Sequence, residues 1–239
     1  MAQMPKGMQS LASLANTLTQ SVEVRPKQIA VIGALIFLAA FGGRLLVWQN
    51  NGDNADKVMT GLTAAYKTDA QALLEGDVTT FLNGPMPPTD ANILAHSPGY
   101  SILMAALFGV FGESDIALRL AQIIADAAAA VTIFFIAIEL LPKRVAIIAG
   151  MLVTLSPQLA YNSLLLLPDS LAVLPILLAI YFIVRARKQS LVIYIIAAGG
   201  LIGRSCWLRA NALLLAPFLS VLVFFVLSPR SDFVLQRFS

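Results

Sequence analysis

Six segments of this chain are too apolar to be left in water, and short polar or basic stretches separate them. They run Ile29–Trp48, Ile116–Leu141, Val145–Leu155, Leu171–Val184, Leu191–Gly203 and Ala212–Leu227. A bilayer core takes about 20 apolar residues per helix, and lipid offers no partner to a backbone N–H or C=O. Such segments have to be helices, whose hydrogen bonds are internal. Composition agrees: 58% of the 239 residues are hydrophobic and 12% charged, with a mean hydropathy of +0.80. A soluble domain carries roughly 45–50% apolar and about 25% charged residues. A soluble globular enzyme and a disordered chain are both excluded. The expected fold class is all-α, a polytopic transmembrane helical bundle of about six spans, with an outer loop carrying short interfacial helices.

Charge placement orients the bundle. Lys6, Arg25 and Lys27, then Lys143/Arg144, Arg185/Arg187/Lys188 and Arg230, fall on one side when the spans alternate. Basic residues favour the cytoplasmic side. Residues 1–28 therefore read as a retained cytoplasmic tail, and 29–239 as the transmembrane domain. The loop 49–98 lies outside, and its acids Asp53, Asp56, Asp69, Glu75, Asp77 and Asp90 outnumber Lys57 and Lys67. Within it Ala55–Leu74 reads as an amphipathic helix, and Pro85, Pro87 and Pro88 as an extended or turning segment. Tyr100–Phe111 is too short to span and reads as a re-entrant or interfacial helix on the outer side. Arg44, near the outer end of the first span, is placed to snorkel. The net charge of +3 follows these membrane sides and does not call for a nucleic-acid partner. The expected location is a plasma or inner membrane, multi-pass, with the chemistry facing outside.

Candidate reactive groups collect at the outer rim. A single cysteine excludes an intramolecular disulfide framework and a multi-cysteine zinc site, and His96 is the one histidine. Asp69 is a carboxylate just above the membrane; beside apolar walls it has a raised pKa and serves as a base, and otherwise it is a solvated loop acid. Asp53 and Asp56 are equally eligible by sequence. His96, before Ser97-Pro98-Gly99-Tyr100, is either a ligand contact or an interfacial cap. Arg204 and Arg209 break the charge rule by falling outside. A guanidinium fork grips phosphate bidentately; the alternative is contact with lipid head groups. Asp126 lies inside a span, either functional or paired with Arg119. Asp169, after Pro168, suits a helix N-terminus. Walker, dinucleotide, HExxH and triad patterns are absent.

The order of these pieces resembles a known family. A tail and one span lead to an outer loop holding an Asp before Leu73-Leu74-Glu75-Gly76-Asp77. His96-Ser97-Pro98-Gly99-Tyr100 follows, then Phe111-Gly112 and Ala117-Leu118-Arg119-Leu120. Leu155-Ser156-Pro157, Leu167-Pro168-Asp169-Ser170-Leu171 and Gly200-Leu201…Arg204…Arg209 complete the series. Together they resemble the N-terminal part of the GT-C glycosyltransferases, in the branch of dolichyl-phosphate-mannose-protein mannosyltransferases and aminoarabinose–lipid A transferases. The resemblance maps the family's outer-loop carboxylate onto Asp69, with Asp56 in reserve, and its His-Pro-Pro-x-Tyr element onto His96–Tyr100, where Ser97 replaces the first proline. Such enzymes carry eight or more spans and an outer C-terminal domain, so the chain is expected to be C-terminally truncated.

The activity so implied is inverting transfer of a sugar from a polyprenyl-phosphate donor in the bilayer to a hydroxyl of a glycan, lipid or protein. Asp69 takes the proton, Arg204 and Arg209 hold the donor phosphate, and His96 and Tyr100 contact sugar, acceptor or metal. No cofactor is certain, though some members add a divalent metal. The alternatives are a non-catalytic membrane partner subunit, or a transporter or flippase component working through Asp126. Topology is testable directly. In a Cys206→Ser background, Thr89→Cys is expected to react with an impermeant thiol reagent on intact cells; reaction only after lysis inverts the orientation.

Overall fold

The computed structural model describes residues 26–83, 97–189 and 192–227. Among them the chain forms ten α-helices and one 3₁₀ turn, and no strand. The helices are α1 (Pro26–Ala55), α2 (Thr60–Glu75), α3 (Val78–Asn83), α4 (Gly99–Phe111) and α5 (Asp115–Leu140). After these come α6 (Lys143–Thr154), α7 (Pro157–Asn162), α8 (Asp169–Gln189), α9 (Val192–Leu208) and α10 (Leu215–Leu227). The all-α membrane helical architecture is as the sequence requires. Residues 1–25 of the expected tail 1–28, the proline segment 85–88, Asp90, His96 and Arg230 lie outside the described residues, and Pro26–Gln28 form the start of α1.

Among the described residues three helices are long and apolar enough to cross a membrane: α1, α5 and the Asp169–Arg187 part of α8. The remaining expected spans are carried by shorter helices, α6 with 12 residues, α9 with 17 and α10 with 13. Twelve residues rise about 18 Å, short of a core of about 30 Å. The reason for the early stop of α6 is local. Pro157 has no N–H to continue the ladder, and Ser156 turns extended and accepts from the Leu159 N–H at 3.4 Å, starting α7. Ser114 caps α5 likewise, accepting from the Ala117 N–H at 3.3 Å. Such caps satisfy donors that a helix start leaves open.

The alanine run of α5 lets other helices approach closely, the usual basis of packing in lipid. Ala127, Ala130, Phe134 and Ala137 form one buried cluster with Ile36 and Ala40 of α1 and Ala146 of α6. A second cluster joins α8, α9 and α10 through Ala179, Ile183, Ala198 and Leu219. Pro175 lies inside α8, where it removes one ladder donor. A turn before it, the Ala172 carbonyl accepts a hydrogen bond from Ser205 of α9 at 2.8 Å.

Two sequence expectations fail at α1 and α5. Arg44 does not snorkel: it is 0% exposed, and its Nε donates to Asp126. Asp126 therefore pairs with Arg44, not with Arg119. The physical reason is depth. Both groups sit where water cannot solvate them, and an unpaired charge there is far more costly than an ordered pair. Arg44 also donates to the Ala40 carbonyl at 3.0 Å and the Thr154 carbonyl at 3.5 Å, tying the end of α6 to α1.

Breaking this pair on one side is expected to destabilise the fold by about 3–5 kcal/mol. Thermal unfolding in detergent should show Arg44→Met and Asp126→Asn each well below the native chain. The double variant Arg44→Met/Asp126→Leu should recover most of the loss.

Candidate functional site

A stretch of irregular backbone organises one end of the bundle. Residues 163–168 link α7 to α8, with Ser163 and Leu164 fully enclosed. Buried carbonyls need donors, and α5 supplies them from residues one turn apart. Arg119 Nε donates to Leu164 O at 3.0 Å, and Gln122 Nε2 donates to Leu167 O at 2.7 Å. Pro168 and Asp169, which open α8, are fixed by this anchoring.

The outer loop places α2 against the same stretch. Its start is Met59, with φ 56° in the left-handed region, and its end is Gly76, with φ 74°. A non-glycine residue there carries strain, so tertiary contacts hold the turn. The Asp77 N–H donates to Ala72 O at 2.9 Å, closing the helix in the manner of a Schellman motif. One face of α2 packs Tyr66, Asp69 and Ala70 toward α4. The Tyr66 and Tyr100 rings meet edge to face with centroids 4.9 Å apart. The other face is tethered by polar contacts: Lys67 to Asp115 at 2.6 Å, Gln71 to Glu113 at 2.9 Å, and Thr63 to the Leu166 carbonyl at 3.5 Å.

α4 begins against the end of α9. A Cβ on Gly99 would lie 2.2 Å from the Trp207 carbonyl oxygen, so glycine is the only residue that fits without a shift. Ser97 donates to Cys206 O at 3.3 Å. This junction holds the next residue in chain order after α9, Arg209, beside α2 and the start of α8.

There the elements enclose a cavity of about 170 Å³. Leu62 and Tyr66 come from α2, Ser97 from the α4 approach, Asp169 from α8, and Arg209 and Asn211 from the turn after α9. Arg209 forms an ion pair with Asp169, both about half exposed. Tyr66 feels both ends of the site. Burial pushes its hydroxyl pKa up; the Arg209 charge pulls it down and the Asp69 carboxylate raises it further.

Asp69 is not a solvated loop acid. It is 3% exposed, and Oδ1 has no hydrogen-bond partner. Loss of solvation raises its pKa to about 6. It sits one turn from Tyr66 and does not itself line the cavity, whose one lining carboxylate among the described residues is Asp169. Asp56 is elsewhere: it pairs with Arg119 and lines a separate cavity of about 240 Å³ with Lys67 and Asp115. Tyr100 is wholly buried behind Tyr66, its hydroxyl without a partner. Arg204 is exposed on α9 and does not line the Arg209 cavity. His96 is outside the described residues. Sequence reasoning missed Tyr66, whose three-residue spacing from Asp69 is the available signal. It also missed the Asp169–Arg209 pair, for which no linear signal exists.

The described residues do not fit a resident divalent ion. No three His, Cys, Asp or Glu side chains among them converge, and Asp169 is already engaged by Arg209. Hard divalent cations take several oxygen ligands.

A family model described as dolichyl-phosphate-mannose-protein mannosyltransferase matches residues 95–238. The matched stretch runs through α4 to α10 and holds Tyr100, Asp169, Arg204 and Arg209; α1, α2 and Asp69 precede it. That family is one of membrane glycosyltransferases of the GT-C type. The chain belongs to the dolichyl-phosphate-mannose-protein mannosyltransferase family. No curated protein and no solved structure matches it.

The buried carboxylate makes a stability prediction with a definite sign. Because the folded pKa of Asp69 is above the ordinary value of 3.8, folding favours its protonated form. The native chain should gain stability relative to Asp69→Asn as pH falls from 7 toward 4, and lose that gain as pH rises through about 6. Paired thermal melts across that range check it.

Proposed function

We propose that the chain transfers a sugar from a polyprenyl-phosphate donor to an acceptor hydroxyl, with inversion, on the outer side of a plasma or inner membrane. The observation that carries the reading is the cavity in which Arg209, Asp169 and Tyr66 meet. Membership of the family implies a lipid-linked sugar donor and an acceptor. Arg209 is the cation available to a phosphate within this cavity, and a guanidinium fork matches two phosphate oxygens. Asp169 holds that fork in place until the donor arrives. The apolar helices keep the lipid tail in the bilayer while the sugar reaches the cavity.

In the proposed step the acceptor oxygen attacks the anomeric carbon as the bond from that carbon to the phosphate oxygen breaks. The acceptor proton leaves toward Asp69, and the lipid phosphate departs with the electron pair. Arg209 stabilises the charge growing on the leaving group, commonly the largest catalytic contribution. Asp69 suits the base because its raised pKa sits near neutrality, where a base is most effective. Tyr66 is the cavity-lining group next to it. A specific observation favours a second assignment of the base, to Asp169, since that carboxylate lines the cavity directly. Asp126, the residue on which a transporter reading depends, is bonded to Arg44.

Transfer of labelled mannose from polyprenyl-phosphate mannose by the reconstituted chain tests the reading. Asp69→Asn is expected to lower turnover roughly 10²–10⁴-fold with donor affinity retained. The native kcat should rise with pH through about 6, following ionisation of Asp69. Arg209→Lys should weaken donor binding, and Arg204→Lys should leave it unchanged. An active Asp69→Asn beside a dead Asp169→Asn moves the base to Asp169. Absence of transfer by the native chain, with donor still bound, favours the non-catalytic partner.

A further inference from the structure

The turn between α1 and α2 stands between two cavities. Val58 and Thr60 line the one that holds Asp56, whereas Met59, between them at φ 56°, lines the Arg209 cavity. α2 continues the division. Thr60, Thr63 and Lys67 line the Asp56 cavity, and Leu62 and Tyr66 the other. At 3.6 residues per turn these are two neighbouring stripes of one helix. The buried stretch before α8 divides in the same way, with Leu166 on the Asp56 side and Leu167 on the Arg209 side. Thr63 stands at the partition and donates to the Leu166 carbonyl at 3.5 Å. The Asp56 cavity is therefore a second, separately walled space of about 240 Å³.

The lining of this space selects its occupant. Lys67 pairs with Asp115 at 2.6 Å, and Arg119 pairs with Asp56, so both lining carboxylates are already matched by a cation. A phosphate would meet two carboxylates beside one ammonium. A cation would meet Lys67 and have to displace an existing pair. A neutral group does neither. Each pair uses one carboxylate oxygen, which leaves Asp56 Oδ2 and Asp115 Oδ1 as acceptors. An ammonium group has three N–H donors, and Lys67 gives one of them to Asp115. Thr60 adds a hydroxyl that can donate or accept. All three charged lining groups are partly exposed, so they can be reached from solution. Donors and acceptors set around a space with its charges already balanced suit vicinal hydroxyls, each of which is both donor and acceptor. The volume falls just below the roughly 300–1,000 Å³ of drug-sized pockets, which limits the occupant to a single ring.

We propose that this second cavity binds a neutral, polyhydroxylated group, one monosaccharide unit in size, between Asp56, Thr60, Lys67 and Asp115. Lys67 donates to one hydroxyl of the sugar, and the free carboxylate oxygens accept from others. Asp69 lies on the opposite side of α2 from Lys67 at 3.6 residues per turn, so the bound sugar takes no part in the proton transfer proposed above. The site is independent of the Arg209 cavity, and its failure leaves the glycosyltransferase reading intact.

Saturation-transfer NMR titration of the full chain in phosphatidylcholine nanodiscs, with methyl α-D-mannopyranoside as the probe, tests it. The native chain should bind this probe more tightly than its charged 2-amino-2-deoxy analogue, and inorganic phosphate should not compete. Affinity should fall about five-fold in Thr60→Val, for one hydroxyl lost, and roughly ten-fold in Asp115→Asn, for one charged acceptor lost. Ala64→Trp, at an exposed position that lines the cavity, should abolish binding, and Arg209→Lys should leave it unchanged. Thr60 and Ala64 are both exposed, so these two variants decide the matter even where Asp115→Asn disturbs the fold. Absence of binding by the native chain overturns the proposal, as does binding that Thr60→Val and Ala64→Trp both preserve. Tighter binding of the amino analogue overturns it by making the site one for cations. Binding lost in Arg209→Lys and kept in Ala64→Trp does the same, by moving the sugar to the Arg209 cavity.

Discussion

The end of the bundle that carries the Arg209 cavity depends on giving donors to the buried carbonyls of residues 163–168. A chain that leaves helical geometry among apolar side chains has to find those donors from its neighbours. Arg119 and Gln122 provide them from α5, and in doing so fix where α8 begins. Because α8 begins there, Asp169 faces the turn after α9 and meets Arg209. Arg119 is also engaged by Asp56 and lies over the Trp48 ring, at 5.5 Å from its centroid. One arginine thus joins the end of α1, the linking stretch and α5.

The two ends of the bundle divide their electrostatics. Around the cavities the pairs are partly solvated: Asp56 with Arg119, Lys67 with Asp115, Asp169 with Arg209. Away from them an enclosed pair, Arg44 with Asp126, holds α1, α5 and the end of α6 together. Buried pairs of this kind contribute more to a unique arrangement than to net stability. The segment matched to the glycosyltransferase family runs from α4 to α10 and so includes the Asp126 side of this pair.

At Asp69, burial and access oppose each other. A carboxylate beside apolar walls is expected to carry a raised pKa. α4 is that wall, and loss of solvation takes the carboxyl to about 6. Yet Asp69 is not among the residues that line the cavity, to which Tyr66 and Asp169 contribute instead. Burial that tunes a base also restricts access to it. The proposed mechanism therefore depends on Tyr66 as much as on the carboxylate behind it.

The sequence by itself determined the class of fold, because apolar segments in lipid have one way to satisfy their backbone, and that way is helical. It also determined the short α4, the interruption at Ser156–Pro157 and the helix start after Pro168, since caps and prolines act within a few residues. Family membership was legible in the order of short motifs from Pro98 to Arg209. Partner choice was decided only by tertiary structure. Arg44 with Asp126 spans 82 positions, and Arg119 with Asp56 spans 63. Charge type says that each group needs a counter-ion, but not which one depth and helix packing will bring within reach. Asp169 reads as a helix start in the sequence, and the seating of α9 on α8 through Ser205 and Ala172, with the close approach of Gly99 to Trp207, brings Arg209 to its side.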